Sequence, residues 1–163
     1  MDGLNEIEAI LKEIPWFKEI KPKHFKKLAQ IASLHIFPEG GEVFREGDQQ
    51  DYLYIILEGR VALEIFVPHK GRVRILTVEP MDVIGWSSVT PVVHQRTASA
   101  RAILPSKLIG LDAEKLRALC DEDHDLGYVV MRRIANIVSS RLTVTRLQLL
   151  DMFASPKSED KNA

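Results

Sequence analysis

The chain has 163 residues, 45% hydrophobic and 28% charged, the balance of an ordinary globular protein large enough to bury a core. A net charge of −1 excludes a global basic field for nucleic acid or anionic lipid. Cys120 is the one cysteine, which excludes an internal disulfide framework or a multi-cysteine metal site. No apolar run approaches the ~18 residues of a membrane span, and "MDGLNEIEAI" begins acidic, unlike a signal peptide. A cytoplasmic protein without membrane attachment is expected.

Residues 1–33 read as N-terminal helices. In "NEIEAILKEI", Ile7, Ile10, Leu11 and Ile14 recur at helical spacing, with Asn5 as the expected N-cap. "PWF" interrupts at Pro15. A second helix carries Pro22 early and Phe25, Leu28, Ala29 and Ala32 on one face.

Residues 34–111 read as β structure. Turn signals at "PEGG", "EGD", "EGR", "HKG", "EPMD" and "LPSK" separate short runs such as "YLYIIL", "VALEIFV", "VRILTV" and "KLIGL". Seven or eight strands in this rhythm predict a small antiparallel barrel or jelly roll. Gly41, Gly47, Gly59 and Gly71 are expected at turns that need a positive φ.

Residues 112–152 are helical again. Asp112 is a natural N-cap for "AEKLRALCDED". A long helix over about 125–152 carries Tyr128, Met131, Ala135, Val138, Leu142, Thr145, Leu149 and Met152 in alternating steps of three and four. That is a heptad seam, polar only at Thr145. Leu126, Val130, Ile134, Ile137 and Val144 form a second stripe beside it. Two apolar stripes need two partners. One is expected against the barrel and the other, through Met131, Ala135, Val138, Leu142, Thr145 and Leu149, against a second copy in a homodimer. The alternative is that both pack within one chain. Residues 153–163 read as a polar, disordered tail. The fold class is thus α+β, mainly β: one domain with a β-roll core, N-terminal helices and a long C-terminal dimerisation helix.

The blocks "IPWF", "FPEGGEVFREGDQQDYLYIILEGRVAL" (37–63) and "VIGWSSVTPVVHQRTASARA" (83–102) resemble the cyclic nucleotide-binding domains of catabolite activator proteins, protein kinase A regulatory subunits and cyclic nucleotide-gated channels. The likeness covers roughly 14–152. It implies a phosphate-binding cassette within 84–100: Gly85 opening a short helix of Trp86, Ser87, Ser88 and Val89, with Arg96, Thr97 and Ala98 closing the site. Such a site suits an anion. A helix N-terminus offers free N–H groups, and one guanidinium can fork onto a phosphate diester. The resemblance also implies that Thr145 reaches a nucleotide base from the long helix. Against this stands the simpler reading of Thr145, a hydroxyl satisfied by the helix carbonyl one turn back.

Trp86 departs from the family pattern, which places there a glutamate that accepts from the ribose 2′-hydroxyl. Tryptophan has one N–H donor and no acceptor, so losing that contact costs roughly 1–3 kcal/mol. The expected ligand is accordingly a class, a cyclic nucleotide such as cyclic AMP or cyclic GMP or another phosphate-containing ligand, with no certain cofactor.

Two readings follow: a stand-alone regulatory sensor that signals through its helices or a separate output protein, or a degenerate, ligand-free dimerisation module. Only about ten residues follow Met152, so no direct DNA binding is expected from this chain. An enzyme is not expected. His24, His35, His69, His94 and His124 are scattered, without HxH or HExxH spacing. Cys120 reads as a small packed residue. Met131, Arg132 and Arg133, with Arg141 and Arg146, read as a helix face that is solvated or paired with acids of a neighbouring copy.

Overall fold

The computed structural model describes residues 2–49, 51–90, 92–93 and 95–154. Helix α1 (Asp2–Glu13) leads to a 3-10 turn (Pro15–Phe17) and helix α2 (Pro22–Gln30). Asn5 lies inside α1, not at its cap, because the helix already begins at Asp2. Pro22 stands in the first turn of α2, where its missing N–H costs nothing. Ala32, expected on the second helix, instead opens a strand that pairs with Leu111.

Eight strands follow: β1 (Ala32–Phe37), β2 (Glu42–Phe44), β3 (Tyr52–Glu58), β4 (Val61–Val67), β5 (Gly71–Val78), β6 (Val83–Ile84), β7 (Ser99–Ala102) and β8 (Ser106–Asp112). They form two four-stranded antiparallel sheets, ordered β1-β8-β3-β6 and β2-β7-β4-β5. The expected β-roll is present. Gly47, Gly59 and Gly71 take positive φ as anticipated, but in "PEGG" the left-handed residue is Gly40, at φ 81°. Gly41 is held small for another reason: a Cβ there would sit 2.9 Å from the Pro38 carbonyl oxygen.

Strand β3 is apolar from Leu53 to Leu57, Tyr54 included, because both of its faces are covered there. Leu53 and Ile55 join Ile109 and Leu111 in one cluster with Phe17, Leu28, Leu116 and Val130 from the helices. Tyr54 and Ile56 face the other way, packing with Val61, Val78, Ile84, Ala100 and Leu108 inside the roll.

Helix α3 (Ala113–Glu122) is capped by Asp112, whose carboxylate accepts from the Lys115 N–H at 2.9 Å. Helix α4 (His124–Ala154) follows after a single residue. Phe153 and Ala154 belong to it and not to the tail; residues 155–163 lie outside the described residues. Leu126, Val130 and Ile134 are buried on α4, so the stripe assigned to the barrel is the one that packs there. The heptad stripe faces outward: Tyr128, Met131, Leu142, Leu149 and Met152 are all exposed. Val138 is the exception, half-buried against the core. Arg132 and Arg133 both pair with Glu19 of the same chain. For Arg132 and Arg133 the pairing acid is thus on the same chain and not on a neighbouring copy, while Arg132 and Arg146 are also exposed, as the solvated reading expected. No helix among the described residues is long and apolar enough to cross a membrane.

Candidate functional site

Trp86, Thr97 and Ala98, from the segment between β6 and β7, meet the second sheet and the C-terminal half of α4. Gly85 follows β6 in the left-handed region, φ 72°, and caps the 3-10 turn Trp86–Val89. A Cβ at Gly85 would lie 2.4 Å from Arg96 Nη1 and 2.9 Å from the Tyr52 carbonyl oxygen. Conformation and space thus both require glycine. The turn closes through Ser88 N–H to the Gly85 carbonyl (3.0 Å) and Thr90 N–H to the Ser87 carbonyl (3.1 Å).

Arg96 is positioned by the "EGD" turn. Gly47 N–H donates to the Arg96 carbonyl, and Arg96 N–H donates to the Asp48 carbonyl, both at 2.8 Å. Its side chain is 4% exposed and turned inward. Nη2 donates to the Tyr52 carbonyl at 2.8 Å, Nη1 makes a long contact of 3.4 Å to the Gly85 carbonyl, and the guanidinium carbon lies 4.2 Å from the Phe44 ring centroid. Nε–H is buried without a partner. Burial pushes the guanidinium pKa down, and the same apolar surroundings push the Tyr54 phenol up to about 12.

Two adjoining cavities occupy this region. The inner one, ≈50 Å³, is lined by Gly85, Trp86, Ser87, Arg96, Thr97 and Ala98 together with Phe44 and Leu63. The outer one, ≈140 Å³, again meets Trp86, Thr97 and Ala98 and is roofed by Arg141, Val144, Thr145 and Gln148 of α4. Trp86 lines both, as do Leu63, Thr97 and Ala98. Two polar bonds hold this roof on the roll: Arg141 Nη2 to the Val83 carbonyl (3.1 Å) and Gln148 Nε2 to the Ile75 carbonyl (2.7 Å).

The structure therefore brings together Gly85, Trp86, Ser87, Arg96, Thr97, Ala98 and Thr145. Ser88 lines neither cavity. It is buried, its hydroxyl lacks a partner, and its carbonyl accepts from Arg117 Nη1. The Thr145 hydroxyl donates to the Arg141 carbonyl at 2.9 Å while its side chain borders the cavity. His94 lies outside the described residues. Sequence reasoning missed Phe44, Leu63, Arg141 and Gln148. All four come from elements distant in the chain, and no spacing announces them.

The cyclic nucleotide-binding domain family matches residues 34–123, more than half of the chain. The chain belongs to this family. Among sequence relatives, a CRP-like cAMP-activated global transcriptional regulator of Mycobacterium tuberculosis is 29% identical over 148 residues, 90% of this chain. The alignment spans 63% of that curated relative's length. Among solved structures, a cyclic nucleotide-binding domain from Methylobacillus flagellatus superposes with a TM-score of 0.75 at 27% identity, covering 91% of this chain and 83% of the other. The N-terminal domain of a transcriptional regulator from Streptomyces coelicolor gives a TM-score of 0.66 at 25% identity, covering 80% and 93%. In this cyclic nucleotide-binding domain Trp86, Thr97 and Ala98 of the segment between β6 and β7, with Leu63 of β4, line both cavities.

Proposed function

We propose that this chain is a regulatory sensor module that takes a cyclic nucleotide or a related phosphate ester between the 3-10 turn, β7 and α4, and that it dimerises through α4. The observation that carries the reading is the shared wall. Gly85, Arg96, Thr97 and Ala98 line one cavity, and Thr97 and Ala98 continue into a second that is roofed by Thr145. At ≈50 and ≈140 Å³, both cavities are smaller than the ~300 Å³ at which pockets begin to enclose a small organic ligand. Entry therefore requires Trp86 to swing or the α4 roof to lift. Arg96 must also exchange its carbonyl acceptors for phosphate oxygens. Where it is the α4 roof that lifts, ligand binding is linked to the position of α4, as a sensor requires.

A second reading is favoured by the inward orientation of Arg96: a ligand-free module in which the arginine only braces the Tyr52 and Gly85 carbonyls. Calorimetric titration with cyclic AMP, cyclic GMP and the nucleoside monophosphates separates the two. The sensor reading expects saturable heat that Arg96→Ala removes. It also expects Trp86→Glu to raise cyclic nucleotide affinity about 10- to 100-fold, the worth of a hydroxyl's lost acceptor. No heat from any of these ligands, for either the unmodified chain or Trp86→Glu, leaves the ligand-free reading standing.

A further inference from the structure

A further cavity, of ≈420 Å³, lies where the Trp86–Val89 turn meets α3 and the first turns of α4. It exceeds both cavities of the loop site and falls inside the ~300–1,000 Å³ range of small-molecule pockets. A tight helix corner sets its shape. Helix α4 begins one residue after α3, and a Cβ at Gly127 would sit 2.7 Å from the Cys120 carbonyl oxygen. The corner is also tied to the loop, because Arg117 Nη1 donates to the Ser88 carbonyl at 2.5 Å.

The lining divides by burial. Val89, Cys120 and Gly127 are buried. They bring no charge at neutral pH, since burial pushes the Cys120 thiol up to about 11. Tyr128, Met131, Asp121 and His124 are exposed, and Arg117 is half-buried. The one guanidinium and the one carboxylate of this lining offset each other, so it holds no surplus charge to attract an ion. What remains is a preference for a π-face. The Met131 and Cys120 sulfurs favour contact with an aromatic ring. The Tyr128 ring, steadied by the Arg132 guanidinium 5.5 Å from its centroid, can pair with a second ring. The Arg117 guanidinium can stack on one. Asp121 and His124 can accept a hydrogen bond at the exposed side.

We infer that this cavity binds a neutral aromatic molecule carrying a hydroxyl or N–H group, its ring among Met131, Cys120 and Tyr128 and its polar group toward Asp121 or His124. The inference does not depend on the loop between β6 and β7 binding anything. An occupant would nevertheless touch Val89, the last residue of the turn that lines the inner cavity. Any effect on a ligand held there would be reciprocal. The competing occupant is a second copy, since Tyr128 and Met131 open the heptad stripe of α4. A helix pairing along that stripe covers α4 itself, whereas Val89, Arg117, Cys120 and Asp121 of this lining come from the turn and α3.

The chain holds four methionines, and among the described ones Met131 lines this cavity. Isotope-labelled methionine methyl groups therefore report binding site by site. With 2-naphthol as the probe, a saturable shift of the Met131 methyl is expected. Met81 and Met152 should stay in place, although Met152 is exposed on the same stripe. The saturated analogue decahydro-2-naphthol should bind several-fold more weakly. Tyr128 is exposed, so its removal leaves the fold intact, and Tyr128→Ala should weaken 2-naphthol about two- to tenfold, the worth of a ring pair. Arg96→Ala should leave the titration unchanged, which separates this site from the loop. No saturable Met131 shift, or one shared by Met152, overturns the inference. So does equal binding of the saturated alcohol, indifference to Tyr128→Ala, or loss of the shift in Arg96→Ala. A shift that appears only in a chain made monomeric by Leu142→Asp assigns the space to a second copy and equally overturns it.

Discussion

At Gly85 one residue satisfies three demands. It turns the chain with φ 72°, caps the Trp86–Val89 turn, and leaves room for the Arg96 guanidinium. Gly85→Ala would impose an αL alanine, roughly 1–3 kcal/mol, and push its Cβ against Arg96 Nη1 and the Tyr52 carbonyl oxygen. Urea denaturation should show a stability loss of at least that size. An unchanged midpoint would mean that the close approach is not a real constraint. The glycine and arginine were legible in the sequence as a pair. The direction of Arg96 was not: it depends on the Tyr52 carbonyl, supplied by a strand 44 residues away in sequence. Trp86 was legible as an anomaly, and its place in the wall of two cavities emerged only from packing.

At the scale of elements, the junction of α2, α3 and α4 is pinned by one carboxylate. Asp123 accepts from His24 Nε2 at 2.7 Å, lies 3.8 Å from Lys23 Nζ, and receives the Leu126 N–H at the start of α4. These contacts, led by the His24 hydrogen bond, hold its pKa down at about 2, against an ordinary 3.8. A depressed carboxylate pKa adds stability that is fully present above the ordinary value and disappears as pH falls through the folded one. Unfolding free energy should therefore decline as pH drops from about 4 to about 2. Asp123→Asn should flatten the decline in that window; an equally steep slope in the variant would assign the acid sensitivity elsewhere. Helix periodicity correctly separated the two stripes of α4. It could not show that "KPKHFKK" is a docking segment, because its acidic partners Asp123 and Asp125 lie about a hundred residues away.

For the whole molecule, the exposed heptad stripe of α4 sets the assembly prediction. Tyr128, Met131, Leu142, Leu149 and Met152 form a long apolar surface on the side away from the roll, and a second copy of the same helix matches its spacing. Leu142→Asp would bury an uncompensated charge twice in such a symmetric seam, at about 3–5 kcal/mol for each. Sedimentation should then show a dimer becoming a monomer while the circular dichroism of the roll persists. An unmodified chain that is monomeric at micromolar concentration would remove the dimer. The same helix roofs the outer cavity through Arg141, Val144, Thr145 and Gln148, so assembly and cavity access meet on one element.

By itself the sequence determined the order of elements, the antiparallel roll and the two faces of α4. Each of these is written in local periodicity, turn chemistry or a contiguous motif. Only the tertiary structure decided that Arg96 braces carbonyls, that Ser88 is withdrawn from both cavities, that Arg132 and Arg133 pair with Glu19, and that Val89, Cys120 and Tyr128 border one cavity. Those outcomes depend on which distant backbone and side-chain groups arrive at hydrogen-bonding distance. That is a property of packing in three dimensions, which neighbouring residues along a chain do not encode.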